Sequence, residues 1–376
     1  MERHPTEDRK KHILFFLVHP AKFNFHREQI NELRARGHHV DVVITNKDIL
    51  EDLVREEGWP YANIFPEGRK IPGIHVYLAA AISLGRTIWR LLKYVRGKKY
   101  DLFIGDALTY VGRLKGVPSF YPTDDVIKQV PEQSVFLATC NHIVAPKITD
   151  LGIFQRKVIT YDGYKALAHL HPNRFKPDIS RLENGLQNGS PFFLIRCVKF
   201  RATHDINKSG ITDDVLMRLV RVLEPQGRVL ISSERDLPPA LDRYLINIEK
   251  KDIGHYMYFA RLFIGDSTTM CSEAAVLGTP SVEFDNYWQD IEQMIELKEK
   301  YALTYGFKPM ETEAFFQKID ELLALGSDLE RVFQERRNTL LSDKIDVSAF
   351  LVWLFENYPD SMSILKKDPD YQYRFK

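Results

Sequence analysis

Two hydrophobic patterns alternate along the chain. Short, mainly apolar runs at residues 12–18 (HILFFLV), 101–105 (DLFIG) and 192–196 (FFLIR) read as strands buried on both faces. Stretches with apolar residues at helical spacing lie between them, such as 25–36, closed by Gly37, and 213–223. Further strands are expected at 39–44, 118–121, 135–139, 142–145, 228–232, 262–265 and 281–284. Apolar strands separated by helices imply parallel sheets covered on both sides. The alternation runs once to about residue 145 and restarts at 192, with a Pro-, Asn-, Gly- and His-rich linker at 161–190 between. The expected fold is therefore α/β, with two Rossmann-like, doubly wound domains facing a cleft. Their bounds are set at 1–165 and 166–345, and 346–376 forms a last helix and tail that pack back on the first domain. Such sheets bind ligands beyond the carboxyl ends of their strands.

One helical stretch has two readings. Leu78, Ile82, Gly85, Trp89 and Leu92 repeat at helical spacing, with Arg86, Arg90, Lys93 and Arg96 on the flank. The first reading is a helix covering a sheet with this row. The second is a helix, 78–99, lying on an anionic membrane and serving a lipid-linked acceptor. Its charges make it a poor bilayer span.

Composition narrows the classes. Across 376 residues, 52 Lys and Arg nearly cancel 51 Asp and Glu, so no overall field draws the chain to nucleic acid. An anionic ligand must be held locally. Cys140, Cys197 and Cys271 lie far apart and show no zinc spacing, which suits reduced thiols in the cytoplasm. The N-terminus lacks the apolar core of a signal peptide. The expected location is cytoplasmic, at the inner face of the membrane under the second reading of 78–99. No metal site and no bound cofactor are expected. Motifs for a P-loop, a dinucleotide fingerprint and a zinc protease are absent.

The most informative segment is 261–283, RLFIGDSTTMCSEAAVLGTPSVE. A strand ends at Asp266, and Ser267, Thr268 and Thr269 precede a helix. Free first-turn N–H groups and the helix dipole suit a phosphate. Glu273, about a turn further in, could accept hydrogen bonds from a ribose diol. An ordinary capped helix with Asp266 and Glu273 merely solvated explains the same residues.

This segment resembles the D-S-G-G-x-x-E-E-A-x-x-x-G-x-P signature of GT-B proteins related to non-hydrolysing UDP-N-acetylglucosamine 2-epimerases. Asp266, Ser267, Glu273, Ala274, Gly278 and Pro280 match; Thr268 and Thr269 replace the glycines, and Ser272 the first Glu. GDSTTMCSEAAVLGTPSV resembles more fully an uncharacterised prokaryotic family of GT-B-like proteins known only as a domain of unknown function. Residues 161–178 (YDGYKALAHLHPNRFKPD) are similar to that family's interdomain segment. The resemblance spans residues 12 to about 350.

It implies that the second domain takes a nucleotide-diphosphate sugar, UDP-linked. Asp266, Ser267, Thr268 and Thr269 would cradle the diphosphate and Glu273 would hold the ribose. His255 stands where such families place a donor toward phosphates or base, and is equally a structural residue. Arg196 suits a phosphate-facing cation, or else a salt-bridge partner. Ser232, Ser233 and Glu234 end another strand of the same crevice and could contact the nucleotide, and also read as an N-cap and turn.

Glycosyl transfer needs a base from the first domain. The candidates are His19, His26, Asp106, Asp124 and Asp125. His19 follows the first strand, and a His before Pro in a loop is also commonly structural. Asp106 resembles the catalytic Asp of the epimerases' G-D-T-T segment, and an N-cap explains it too. Against the epimerase reading stand two departures. Pro122-Thr123-Asp124-Asp125 replaces V-E-A-G, and Arg196-Cys197-Val198-Lys199 replaces H-R-x-E-N. The favoured expectation is a metal-independent glycosyltransferase, in surface-polysaccharide synthesis. A 2-epimerase or nucleotide-sugar hydrolase comes next, then a non-catalytic nucleotide-sugar-binding protein.

Overall fold

A computed structural model describes residues 10–47, 49–69, 73, 75–199 and 210–376. The first apolar run forms β1 (His12–Leu17) and leads into α1 (Pro20–Ala35). The helix starts earlier than expected because the His19 Nδ1 accepts from the Ala21 N–H at 3.1 Å and Pro20 suits the first turn. Next come β2 (His39–Ile44), α2 (Leu50–Glu56), β3 (Ala62–Asn63), α3 (Val76–Tyr94), β4 (Leu102–Ile104), α4 (Leu108–Lys115) and β5 (Ser119–Pro122). The series closes with α5 (Ser134–Thr139), β6 (His142–Pro146), β7 (Val158–Tyr161) and the single turn α6 (Leu167–Leu170). The seven strands form one parallel sheet in the order β3-β2-β1-β4-β5-β6-β7.

The second series is β8 (Phe192–Cys197), α7 (Asp213–Leu223), β9 (Arg228–Ser233), α8 (Ile253–Phe259), β10 (Leu262–Gly265), α9 (Thr268–Leu277), β11 (Ser281–Phe284), α10 (Glu292–Glu299) and β12 (Thr304–Phe307). It forms a five-stranded parallel sheet, β12-β11-β10-β8-β9. After it come α11 (Thr312–Leu323), α12 (Asp328–Asp343), α13 (Val347–Glu356) and α14 (Asp360–Lys367). Two parallel-sheet α/β domains are thus present. The first unit contains residues up to His169 together with Ile345–Lys376, and the second is Leu170–Lys344. In the first, α13 packs on the sheet through Phe355, whose ring meets Phe120 at 5.2 Å and Phe15 at 6.3 Å.

Three expectations are corrected. Residues 135–139 are helical, because Gln133, Leu137 and Cys140 point inward at spacings of four and three while Val135 is exposed. The segment 161–190 is more than a linker: it begins in β7 and buries Tyr164, Leu167 and Leu182. Finally, α3 covers the first sheet with the other face. Leu84, Ile88, Leu91 and Val95 pack inward together with Leu92 of the expected row, while Leu78, Ile82 and Trp89 are exposed.

Each sheet has a point where the chain reverses its direction of travel, between β1 and β4 in the first and between β8 and β10 in the second. The strand across each point carries the same pentapeptide, LFIGD, at 102–106 and 262–266. Its glycine is needed for closeness: a Cβ on Gly105 would sit 2.6 Å from the Phe16 carbonyl oxygen, and one on Gly265 3.2 Å from that of Arg196.

Candidate functional site

In parallel sheets, chain reversal opens a crevice at the strand carboxyl ends, because the flanking helices diverge to opposite faces there. In the second unit, Arg196 and the 266–269 segment border that point. Asp266 is buried, and its two carboxylate oxygens accept from the Val198 N–H (2.8 Å) and the Ile211 N–H (3.2 Å). Burial pushes its pKa up to about 6 against the pull of those two amides. Asp266 therefore ties the chain beyond β8 to the end of β10. Gly210 makes this possible, since a Cβ there would lie 2.4 Å from Asp266 Oδ2.

Ser267, Thr268 and Thr269 open α9 and reach solvent. Ser267 provides no side-chain cap, so its hydroxyl leaves the first-turn N–H groups without a cap acceptor. Thr268 Oγ1 donates to Glu283 Oε1 at 2.6 Å. Glu273 lies a turn further in and is largely buried. On the other side, Arg196 Nη1 donates to Ser232 Oγ at 2.8 Å and Nη2 pairs with Glu234. Ser233 makes a tight turn with Arg235, accepting from its N–H at 3.1 Å. His255 lies on α8: its Nδ1 accepts from the Asp178 N–H at 3.0 Å and its ring lies 4.8 Å from Phe175.

The first unit places His19, Asp106 and Asp124 at the carboxyl ends of β1, β4 and β5, which are neighbours in the sheet. His19 is exposed and caps α1. Asp106 is half-buried, within electrostatic reach of Arg69 and Tyr121. Asp124 pairs with Lys165 at 2.9 Å. Burial opposes its ionisation, but Lys165 and Lys22 outweigh burial and hold its pKa below the usual range. Lys22, Phe25, Thr123, Asp124, Tyr161 and Lys165 line a small pocket there. His26 lies deeper, with Nδ1 hydrogen-bonded to Gln29 Oε1 at 2.8 Å.

Lys165, Gly210 and Glu283 were missed in the sequence. Glu283 left a signal, an acid inside an apolar strand (SVEF). The others act across distances that no local pattern encodes. Among the described residues, one donor trio, His12, His39 and Asp41, comes within coordinating reach. It sits where β1 and β2 begin. Asp41 already accepts from Tyr100 at 2.5 Å and pairs with Lys98 at 3.5 Å, which accounts for the cluster without an ion.

Comparison with protein-family models finds no match, and comparison with curated proteins finds none either. Comparison with solved structures finds many. The S. aureus MnaA–UDP structure aligns with a TM-score of 0.63 at 12% identity, over 94% of this chain and 98% of that one. The calicheamicin glycosyltransferase CalG4 aligns at 0.59 and 14% identity, over 93% and 100%. UDP-GlcNAc 2-epimerase from Neisseria meningitidis, bound to UDP-GlcNAc, aligns at 0.59 and 13%, over 88% and 98%. The fold is that of the GT-B proteins. At such identities the likeness extends to the fold and its two domains. No helix among the described residues is long and apolar enough to cross a membrane.

Proposed function

We propose that the chain is a metal-independent glycosyltransferase that takes a sugar from a UDP-linked donor and passes it to an acceptor hydroxyl, in surface-polysaccharide synthesis. The observation that carries this reading is the uncapped start of α9 beside Arg196 at the chain-reversal point of the second sheet. Ser267, Thr268 and Thr269 offer amides to the diphosphate, and Ser267 and Thr269 their hydroxyls as well. Arg196, oriented by Ser232 and Glu234, supplies the positive charge that the departing nucleotide needs. Glu273 takes the ribose. Asp266, engaged with two backbone amides, shapes the loop. Ser233 borders the same crevice, and His255 is assigned to the donor through Nε2, its Nδ1 being engaged by Asp178.

In the first unit, His19 or Asp106 accepts the acceptor's proton as its oxygen attacks the anomeric carbon and the bond to the diphosphate breaks. Asp124 is the weaker base, because its proton affinity is lowered by Lys165. The second reading, a UDP-sugar 2-epimerase or hydrolase, is favoured by the fold shared with UDP-GlcNAc 2-epimerases. The third is a binding protein without turnover.

A ligand that binds the native state must raise its melting temperature. UDP is expected to do so and ADP is not; equal shifts would end the donor assignment. His19→Ala and Asp106→Asn should keep the UDP shift, and at least one should lose turnover. Free sugar formed without acceptor identifies a hydrolase, an interconverted UDP-sugar an epimerase, and binding without product the third reading.

A further inference from the structure

The outer face of α3 is left uncovered by the described residues. Tyr77, Leu78, Ile82 and Trp89 are 79%, 55%, 41% and 62% exposed, in contrast to Leu91 and Val95 on the opposite face. Leu78, Ile82, Gly85 and Trp89 follow one another every three or four residues, so they form a row about 17 Å long at 1.5 Å per residue. Along one side of that row lie Arg86, Arg90 and Lys93, and Arg96 follows just beyond the helix. Glu67 pairs with both Arg86 (3.3 Å) and Arg90 (2.6 Å), so this trio keeps one excess positive charge. Lys93 and Arg96 are exposed and add two more.

We propose that this face of α3 docks the protein on an anionic lipid surface. A row of Leu, Ile and Trp with cations beside it matches the layering of such a surface, where acyl chains lie beneath anionic headgroups. Trp suits that boundary, having an apolar body and a polar N–H. The helix is embedded in the first unit through its other face, so the contact lies flat along the surface. A second copy packed antiparallel through this row would set its cations against themselves. The contact is independent of which nucleotide-sugar reaction the second unit performs.

The test is co-sedimentation of the full chain with vesicles of phosphatidylcholine alone and with vesicles containing phosphatidylglycerol. Binding to the anionic vesicles is expected to be at least about tenfold stronger and to fall with added salt. Leu78→Glu with Trp89→Glu should abolish it. Lys93→Glu with Arg96→Glu should weaken it at least about tenfold, like charges now facing the lipid. All four positions are exposed, so the melting temperature should not move. The charge-reversal pair keeps the test open if the first pair does not fold. Equal binding to both vesicles, binding that survives both pairs, or a dimer in solution dissolved by Trp89→Glu would overturn the proposal.

Discussion

Glu283 is fully buried beneath the start of α9, and burial together with neighbouring Asp285 pushes its pKa well above the carboxylate range. Its Oε1 is satisfied by Thr268, while Oε2 and Asp285 Oδ2 have no donor of their own among the described residues. A proton held on Glu283 supplies the missing donor, bonding to Asp285. Glu283→Gln, which keeps an acceptor for Thr268 and a donor for Asp285, should then change stability by less than about 1 kcal/mol in urea unfolding at pH 4, where the unfolded carboxyl is also largely protonated. A raised pKa contributes stability that is present below the unfolded value of 4.5 and is lost as pH rises above it, so this substitution should flatten that fall and leave the variant the more stable protein at pH 7. A loss of several kcal/mol would show that Glu283 is ionised. His26 has the opposite sign. Burial drives its pKa down to about 3, so its contribution is present above about pH 6.5, the unfolded value, and is lost as pH falls. Between pH 6.5 and 5 the wild type should lose about 2 kcal/mol through this group, and His26→Gln should lose less over the same range.

At the scale of elements, α9 shows how a helix is fixed at one end and left open at the other. Its C-terminus is closed by Gly278 at φ +80° and by α12, whose Gln334 and Arg337 donate to the carbonyls of Leu277 (3.2 Å) and Val276 (3.0 Å). A Cβ on Gly278 would lie 2.6 Å from Gln334 Nε2 and 2.8 Å from Arg337 Cδ. Gly278→Ala should therefore cost more than the about 1–2 kcal/mol of the left-handed backbone alone, as read from the urea midpoint. A change no larger than that would mean α12 yields freely. The closing Gly was legible in the sequence because glycine has a local reason to be there. The inward face of α3 was not legible: both rows of that helix are apolar, and only the sheet beneath decided which one was covered.

At the scale of the molecule, the last segment belongs to the first unit. Phe350, Leu351, Leu354 and Phe355 are fully buried, Arg36 and His38 pair with Glu356 at 2.7 and 3.0 Å, and Gln372 Oε1 accepts from the Asp162 N–H at 2.7 Å. Each large apolar side chain removed from a core costs about 2–5 kcal/mol, and a whole domain holds only about 5–15. A chain ending at Lys344 should thus lose the calorimetric transition of the first unit while 170–344 still melts cooperatively. Retention of both transitions would show the tail to be dispensable.

The alternation of buried strands with helices settled the two parallel sheets from sequence alone, since a strand apolar on both faces can be satisfied only between two layers of helices. The same local rules located the start of α9 and the strand ends around it. Tertiary structure decided what adjoins them. It turned Asp266 toward two amides, placed Lys165 on Asp124 and Glu234 on Arg196, and put Glu283 under Thr268. Those partners lie far apart in the chain, and their pairing depends on strand order, which hydrophobic spacing does not encode.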